Sequence, residues 1–263
     1  MLNDVLIALL IIGAVGLVSA VLLSLASKFL FVPENEKIKE VRAALPGVNC
    51  GACGYSGCDE YAKAVAEKGE KTNLCVPGAD DVAACVAKIM GKAAEDVVEM
   101  MAVVHCNGTC DARNRVADYK GVPTCKGMSM SFGGNLSCTF GCLGCGDCAN
   151  ACPVSAIGIQ NGVAFIKRDE CIGCGLCVKT CPKNLIELVP QIYFTKVLCR
   201  NTEKGAVARK NCVNACIGCK KCEKECPTNA ITVENNLASI DYDKCIDCGK
   251  CAEVCPTGCI HRL

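Results

Sequence analysis

Tryptophan is absent from this chain, and aromatic residues of all kinds make up only 4% of it. Beyond the first 30 residues the apolar side chains are mostly small Ala, Val and Ile. Side chains of that size do not fill one large hydrophobic core, so several compact domains organised around inorganic groups are expected. Histidine occurs only twice, and no Ser–His–Asp or Cys–His catalytic set is evident. No Lys/Arg-rich run is present, which argues against nucleic acid as a partner. No dinucleotide fingerprint follows a βα turn, since the glycines of residues 47–57 interleave with cysteines; the chain itself reads as binding neither NAD nor flavin.

What the chain has in abundance is cysteine, 28 in 263 residues. That level calls for a disulfide scaffold or a metal protein. Many of these cysteines lie three residues apart, a spacing that converges on one metal centre more readily than it pairs into unstrained disulfides. The formal net charge of +1 counts each thiol as neutral, whereas metal ligands are thiolates. A four-iron cluster with four thiolates carries about −2 when oxidised, so a loaded chain is acidic.

Val5 to Ser27 is an uncharged apolar run long enough to span a bilayer with some tilt. A cleaved signal peptide is the alternative, but the residues before the run carry no Lys or Arg and the run exceeds a usual signal core. Asp4 precedes it, while Lys28, Lys37, Lys39 and Arg42 follow. The positive-inside rule then predicts a single-pass protein of the bacterial cell membrane with its bulk in the cytoplasm. That reducing compartment suits thiolate–iron sites.

Four segments match C-x2-C-x2-C-x3-C-P, the spacing of bacterial two-cluster ferredoxins. They are Cys142, Cys145, Cys148 and Cys152 with Pro153; Cys171, Cys174, Cys177 and Cys181 with Pro182; Cys216, Cys219, Cys222 and Cys226 with Pro227; and Cys245, Cys248, Cys251 and Cys255 with Pro256. In such pairs the fourth cysteine ligates the other cluster. The expected sets are therefore Cys142, Cys145, Cys148 and Cys181; Cys171, Cys174, Cys177 and Cys152; Cys216, Cys219, Cys222 and Cys255; and Cys245, Cys248, Cys251 and Cys226. Zinc, the alternative for CxxC pairs, does not account for four complete copies with proline in register. A shift of 74 residues carries one pair of motifs onto the other, and carries Ile166 and Asp169 onto Ile240 and Asp243. This internal duplication includes hairpin-like stretches at Val163–Ile166 and Ala238–Ile240 after the turns Asn161–Gly162 and Asn235–Asn236.

A further constellation occupies residues 45–75: Cys50, Cys53, Cys58 and Cys75, with Gly47, Gly51, Gly54 and Gly57 letting the backbone wrap closely and a helix expected from about Asp59 to Lys68. A zinc knuckle is the alternative on spacing alone. An apolar anchor, the segment LPGVNCGACGYSGC with a later cysteine, and downstream ferredoxin repeats together resemble the B subunit of Rnf complexes, over essentially the whole chain. The resemblance implies an electron-transfer subunit of a membrane complex that couples ferredoxin:NAD oxidoreduction to Na⁺ or H⁺ translocation. It implies soluble ferredoxin, the other membrane and flavin/NADH subunits and the lipid bilayer as partners, with no substrate-transforming site on this chain. The short form of that subunit has one two-cluster domain; this chain has two, plus a cysteine-bearing insert. A membrane polyferredoxin serving a hydrogenase or another dehydrogenase is the rival reading, and a zinc-loaded structural protein is a more distant one.

Eight cysteines remain. Cys85, near Val82, Val86 and Ile89 of an amphipathic stretch, reads as a core residue, as does Cys259. Cys106, Cys110, Cys125 and Cys138 form a candidate sixth cluster, although Cys125 and Cys138 also recur 74 residues on as Cys199 and Cys212, which either pair with some of the others in a further metal site or are vestiges of duplication. His105 reads as a packing or surface residue. The fold class expected is α+β: a transmembrane anchor (1–30), a four-iron module (31–100), a cysteine-rich connector (101–137) and two ferredoxin-like domains (138–190 and 191–263). At least five 4Fe-4S clusters are expected. Chain lacking residues 1–28, purified anaerobically, should then hold about 20 iron atoms with equal sulfide, or about 24 if the remaining cysteines take a further cluster. Zinc in place of iron would exclude electron transfer.

Overall fold

The computed structural model describes residues 2–29, 35–131 and 133–263; Met1, Phe132 and residues 30–34, at the junction between the expected anchor and module, lie outside them. Helix α1 (Leu2–Phe29) is apolar on every side, and Leu10–Lys28 within it is long and apolar enough to cross a membrane. At 1.5 Å per residue its 28 residues extend about 42 Å.

Three helices build the next unit: α2 (Glu36–Ala44), α3 (Cys58–Lys68) and α4 (Ala79–Met90). Asn35 caps α2 by accepting from Lys37 N–H, and Arg42 Nε donates to Asp59 of α3 at 2.7 Å. Val41, Tyr61, Val65 and Val86 interlock in the middle, all essentially inaccessible. Tyr61 is buried without an orphaned hydroxyl, because its O–H donates to Lys71 C=O and accepts from Leu74 N–H. Cys85 departs from expectation. Helix α4 turns Ala83, Val86 and Ala87 inward, which leaves Cys85 exposed.

The remainder is two copies of one α+β unit with only two-stranded antiparallel sheets. In the first, β1 (Met100–Val104) pairs with β4 (Ile186–Pro190), and β2 (Ile157–Gln160) pairs with β3 (Val163–Ile166). A short α5 (Cys125–Met130) precedes the cysteine motifs, which carry α6 (Asp147–Asn150) and α7 (Leu176–Thr180). In the second, β5 (Thr195–Val197) pairs with β8 (Ile260–Arg262), β6 (Ile231–Glu234) pairs with β7 (Leu237–Ile240), and α8 (Gly205–Asn211), α9 (Lys221–Glu225) and α10 (Lys250–Glu253) complete it.

Strand register redefines the repeat. Val104 lies opposite Ile186, and Val197 lies opposite Ile260, the residue 74 places after Ile186. Val104 and Val197 are therefore equivalent, and so are Cys106 and Cys199. The connector contributes a strand to the first unit, so each unit begins at its own leading strand, ahead of the motifs. The first unit also carries extra chain between Cys106 and Cys138, the stretch that bears Cys110 and Cys125. Counting a constant 74 residues pairs Cys125 with Cys199, which the strand register does not.

The cores of both units are sulfur and small aliphatic side chains: Cys142, Cys148 and Cys177 pack with Ala102, Val163 and Leu185, and Cys199, Cys216 and Cys222 with Ala208, Val233 and Ile260. Tight loops make this possible. Gly173 holds φ +62°, and a Cβ there would lie 2.4 Å from the carbonyl oxygen of Met100. Gly54 holds φ +86° with open space around it. Gly173→Ala should cost about 2 kcal/mol or more, from strain plus a backbone clash, and Gly54→Ala only about 1 from strain. Denaturation midpoints of the loaded protein measure the difference; equal losses would contradict it.

Candidate iron–sulfur sites

All 28 cysteines are free thiols. At the first site the loop 45–58 and the turn at 75 converge. Burial pushes Cys75 up to about 11, and the nearby charge of Cys58, Cys53 and Cys50 adds to it. The loop is closed by Asn49, which accepts from Cys58 N–H at 2.8 Å.

In the second unit two small cavities are lined by cysteines from both motifs. Cys216, Cys219, Cys222, Cys255 and Cys259 line one, and Cys226, Cys245, Cys248 and Cys251 line the other. In the first unit Cys142, Cys148 and Cys181 face a common cavity, with Cys145 beside Cys142. Cys152 stands near Cys171, Cys174 and Cys177 instead. Burial first, and neighbouring sulfur charge with it, raise Cys148 and Cys222 to about 12 and Cys177 and Cys251 to about 11. Buried thiolates gathered this way repel one another, so a cationic group at their centre is what lets them ionise together.

The donor chemistry fits a multi-iron group better than a lone ion. Backbone N–H groups point at sulfur: Ala102 to Cys171 at 3.4 Å, Leu185 to Cys181 at 3.5 Å, Ala230 to Cys226 at 3.3 Å and Asp247 to Cys245 at 3.4 Å. Such donors stabilise negative sulfur without a competing cation.

The remaining cysteines separate. Cys125 lies against Cys145 at the rim of the first unit's cavity, its N–H held at 2.9 Å by the Asp147 carboxylate. Cys110 is exposed beside Gly162. Neither is with Cys106 and Cys138, so the structure does not bring together the four residues grouped by sequence proximity; the extra chain between Cys106 and Cys138 carries the other two elsewhere. Cys259 is buried with its sulfur 3.6 Å from Cys255, a contact that draws Cys255 down to about 4. His105 is structural: Nδ1 is 2.6 Å from Val197 C=O and Nε2 is 3.3 Å from the Glu187 carboxylate.

Two lysines escape sequence reasoning because no motif marks them. Lys179, on α7, donates to Cys50 C=O at 2.7 Å and so ties the first site to the loop of Cys174. Lys196, in β5, is fully buried with Nζ 4.5 Å from the Tyr242 ring centroid. Burial pushes it down to about 8, against the opposing pull of Asp247 and Cys245. A cation so close to Cys245 favours the more reduced state of whatever that cysteine holds. Lys196→Met should lower that cluster's reduction potential by roughly tens of millivolts with no loss of Tm, because an unpaired buried charge is removed. Redox titration followed by EPR checks it; an unchanged potential would rule the role out.

Comparison with known proteins follows the same divisions. A family model described as "Putative Fe-S cluster" matches residues 45–77, and models of 4Fe-4S dicluster domains match 139–188, 170–231 and 215–259. The chain is 42% identical over 245 residues to the B subunit of the Na⁺-translocating ferredoxin:NAD⁺ oxidoreductase complex of Acetobacterium woodii, covering 93% of this chain and 74% of that one. It is 41% identical over 241 residues to the B subunit of the proton-translocating complex of Clostridium ljungdahlii, covering 91% and 85%. The B subunit of the ion-translocating oxidoreductase complex of Methanosarcina acetivorans is 36% identical over 235 residues, 89% of each chain. At 36–42% identity over most of its length, the chain belongs to the B-subunit family of ion-translocating ferredoxin:NAD⁺ oxidoreductase complexes, the Rnf complexes.

Proposed function

We propose that this chain is the electron-conducting arm of such a complex. Twenty cysteines would hold five 4Fe-4S clusters: Cys50, Cys53, Cys58 and Cys75 one, and the four crossed sets of the ferredoxin units the others. When bound, such clusters supply reversible one-electron transfer. The chain's own part is placement and insulation. The observation that carries this reading is the succession of sulfur groups. Cys50 lies close enough to Cys174 for its charge to raise that thiol, already pushed up by burial. Lys179 bolts the two loops together through the Cys50 carbonyl. Within each unit the crossed fourth cysteine locks one group beside the next.

Helix α1 would anchor the chain as a single span of the cell membrane. Lys28 and the basic residues that follow it would keep the redox units on the cytoplasmic side, where soluble ferredoxin and the flavin- and NADH-handling subunits are the expected partners. Two relatives of nearly equal identity differ in their named ion, one Na⁺ and one H⁺. The coupling ion is therefore better sought in other subunits than in this one.

The test is reduction of the loaded full chain, in detergent and without oxygen, by reduced two-cluster ferredoxin or by NADH. Ferredoxin should bleach the visible absorption rapidly and NADH should not, since no nucleotide fingerprint is present. Loaded protein that ferredoxin fails to bleach would refute the reading.

A further inference from the structure

Five groups leave a break in the row. Beside Cys142 of one ferredoxin unit and Cys216 of the other lie four cysteines that belong to neither motif. Cys106, Cys138, Cys199 and Cys212 line one small cavity at the seam of the units. Cys138, Cys199 and Cys212 are buried and Cys106 is half-buried.

The cavity has the features of the motif sites. Cys142 N–H donates to Cys106 Sγ at 3.4 Å, while Cys216 N–H donates to Cys199 Sγ at 3.3 Å and Asn201 N–H to the same sulfur at 3.4 Å. Asn201 Nδ2 lies 3.7 Å from Cys138 Sγ, and this asparagine is almost wholly buried. Gly108 closes the wall: a Cβ there would meet Cys212 Sγ at 3.4 Å and Cys106 Sγ at 3.6 Å. Cys138 feels the charge of Cys106 and Cys212, Cys212 that of Cys106 and Cys199, and Cys199 that of Cys138.

The four residues are two equivalent pairs. Cys106 matches Cys199 by strand register, and Cys138 matches Cys212 as the residue four places before each unit's first motif cysteine. Each unit thus offers the same two thiols to the seam. Around the seam they are stitched by Asn214 Nδ2 to Asn107 C=O at 2.9 Å, Asn107 N–H to Leu198 C=O at 3.0 Å and Ser137 Oγ to Asn211 C=O at 3.0 Å. Buried, unoxidised thiols at a polar seam between duplicated domains have a cofactor's environment.

We propose that Cys106, Cys138, Cys199 and Cys212 hold a sixth 4Fe-4S cluster, shared by the two ferredoxin units and bridging the cluster at Cys142 to the cluster at Cys216. This rests on the electron-transfer reading above. It replaces the grouping of Cys106 and Cys138 with Cys110 and Cys125.

Native mass spectrometry of the anaerobically purified full chain in detergent, with iron, sulfide and zinc counted in parallel, tests it. Wild-type protein should carry six clusters and about 24 iron atoms, and the paired variant Cys106→Ser, Cys212→Ser five clusters and about 20. The paired variant Cys110→Ser, Cys125→Ser should retain six. Where the first pair yields no folded protein, Cys106→Ser alone, at the half-exposed member, should show the same loss. Five clusters in wild-type protein, one zinc in place of the sixth cluster, or loss of the sixth from the Cys110/Cys125 pair instead would overturn the proposal while leaving the other five sites standing. Absence of iron from every site would overturn the electron-transfer reading itself.

Discussion

The structure depends on burying sulfur that must be ionised to do its work. Thiols make up much of both ferredoxin cores, and burial there drives individual cysteines to about 11 or 12. A thiolate at such a position is opposed by lost solvation and by its neighbours' charge, and a bound cationic centre offsets both. The four pairs of strands and the short helices between them bury too little hydrocarbon to stand as independent hydrophobic domains. Folding and cofactor binding are on this view one event, and the polypeptide supplies loops, N–H donors and spacing.

Duplication explains the plan. Each unit repeats a leading strand, a cysteine just after it, another cysteine four residues before the first motif, and the two motifs. The copies have since diverged where the sulfur environment is tuned. Leu185 of the first unit donates its N–H to Cys181, and its counterpart Cys259 instead brings a thiol against Cys255. Only the second unit has the buried cation Lys196, where the first has Val103. Equivalent sites in the two units therefore have unequal electrostatics.

Membership of the B-subunit family accounts for the order of modules, and the fold adds how they are joined. The helical module reaches the first ferredoxin unit through Lys179 and Cys50, and the two units meet at the seam around Asn107, Asn201 and Asn214. Both junctions put polar side chains and backbone next to sulfur. They hold the modules in register without large apolar interfaces.

The sequence alone determined the chemistry. Ligand spacing in a ferredoxin loop is local, so C-x2-C-x2-C-x3-C-P, the Cys50–Cys58 segment and the apolar run to Ser27 were legible without coordinates, as were the hairpin at Val163–Ile166 and the helix ending at Lys68. Tertiary structure decided what depends on distant pairing. Cys106 and Cys199 became equivalent only through the partners of β1 and β5, since extra chain in one copy defeats a constant offset. The repeated Val-x-Cys of Val104–Cys106 and Val197–Cys199 was the one trace of it in the sequence. Cys85 turned outward because helical phase, set by what α4 packs against, outweighs the apolar residues beside it. Spacing along the chain specifies a site whose ligands come from one loop, while a site assembled from two domains exists only once their strands have paired.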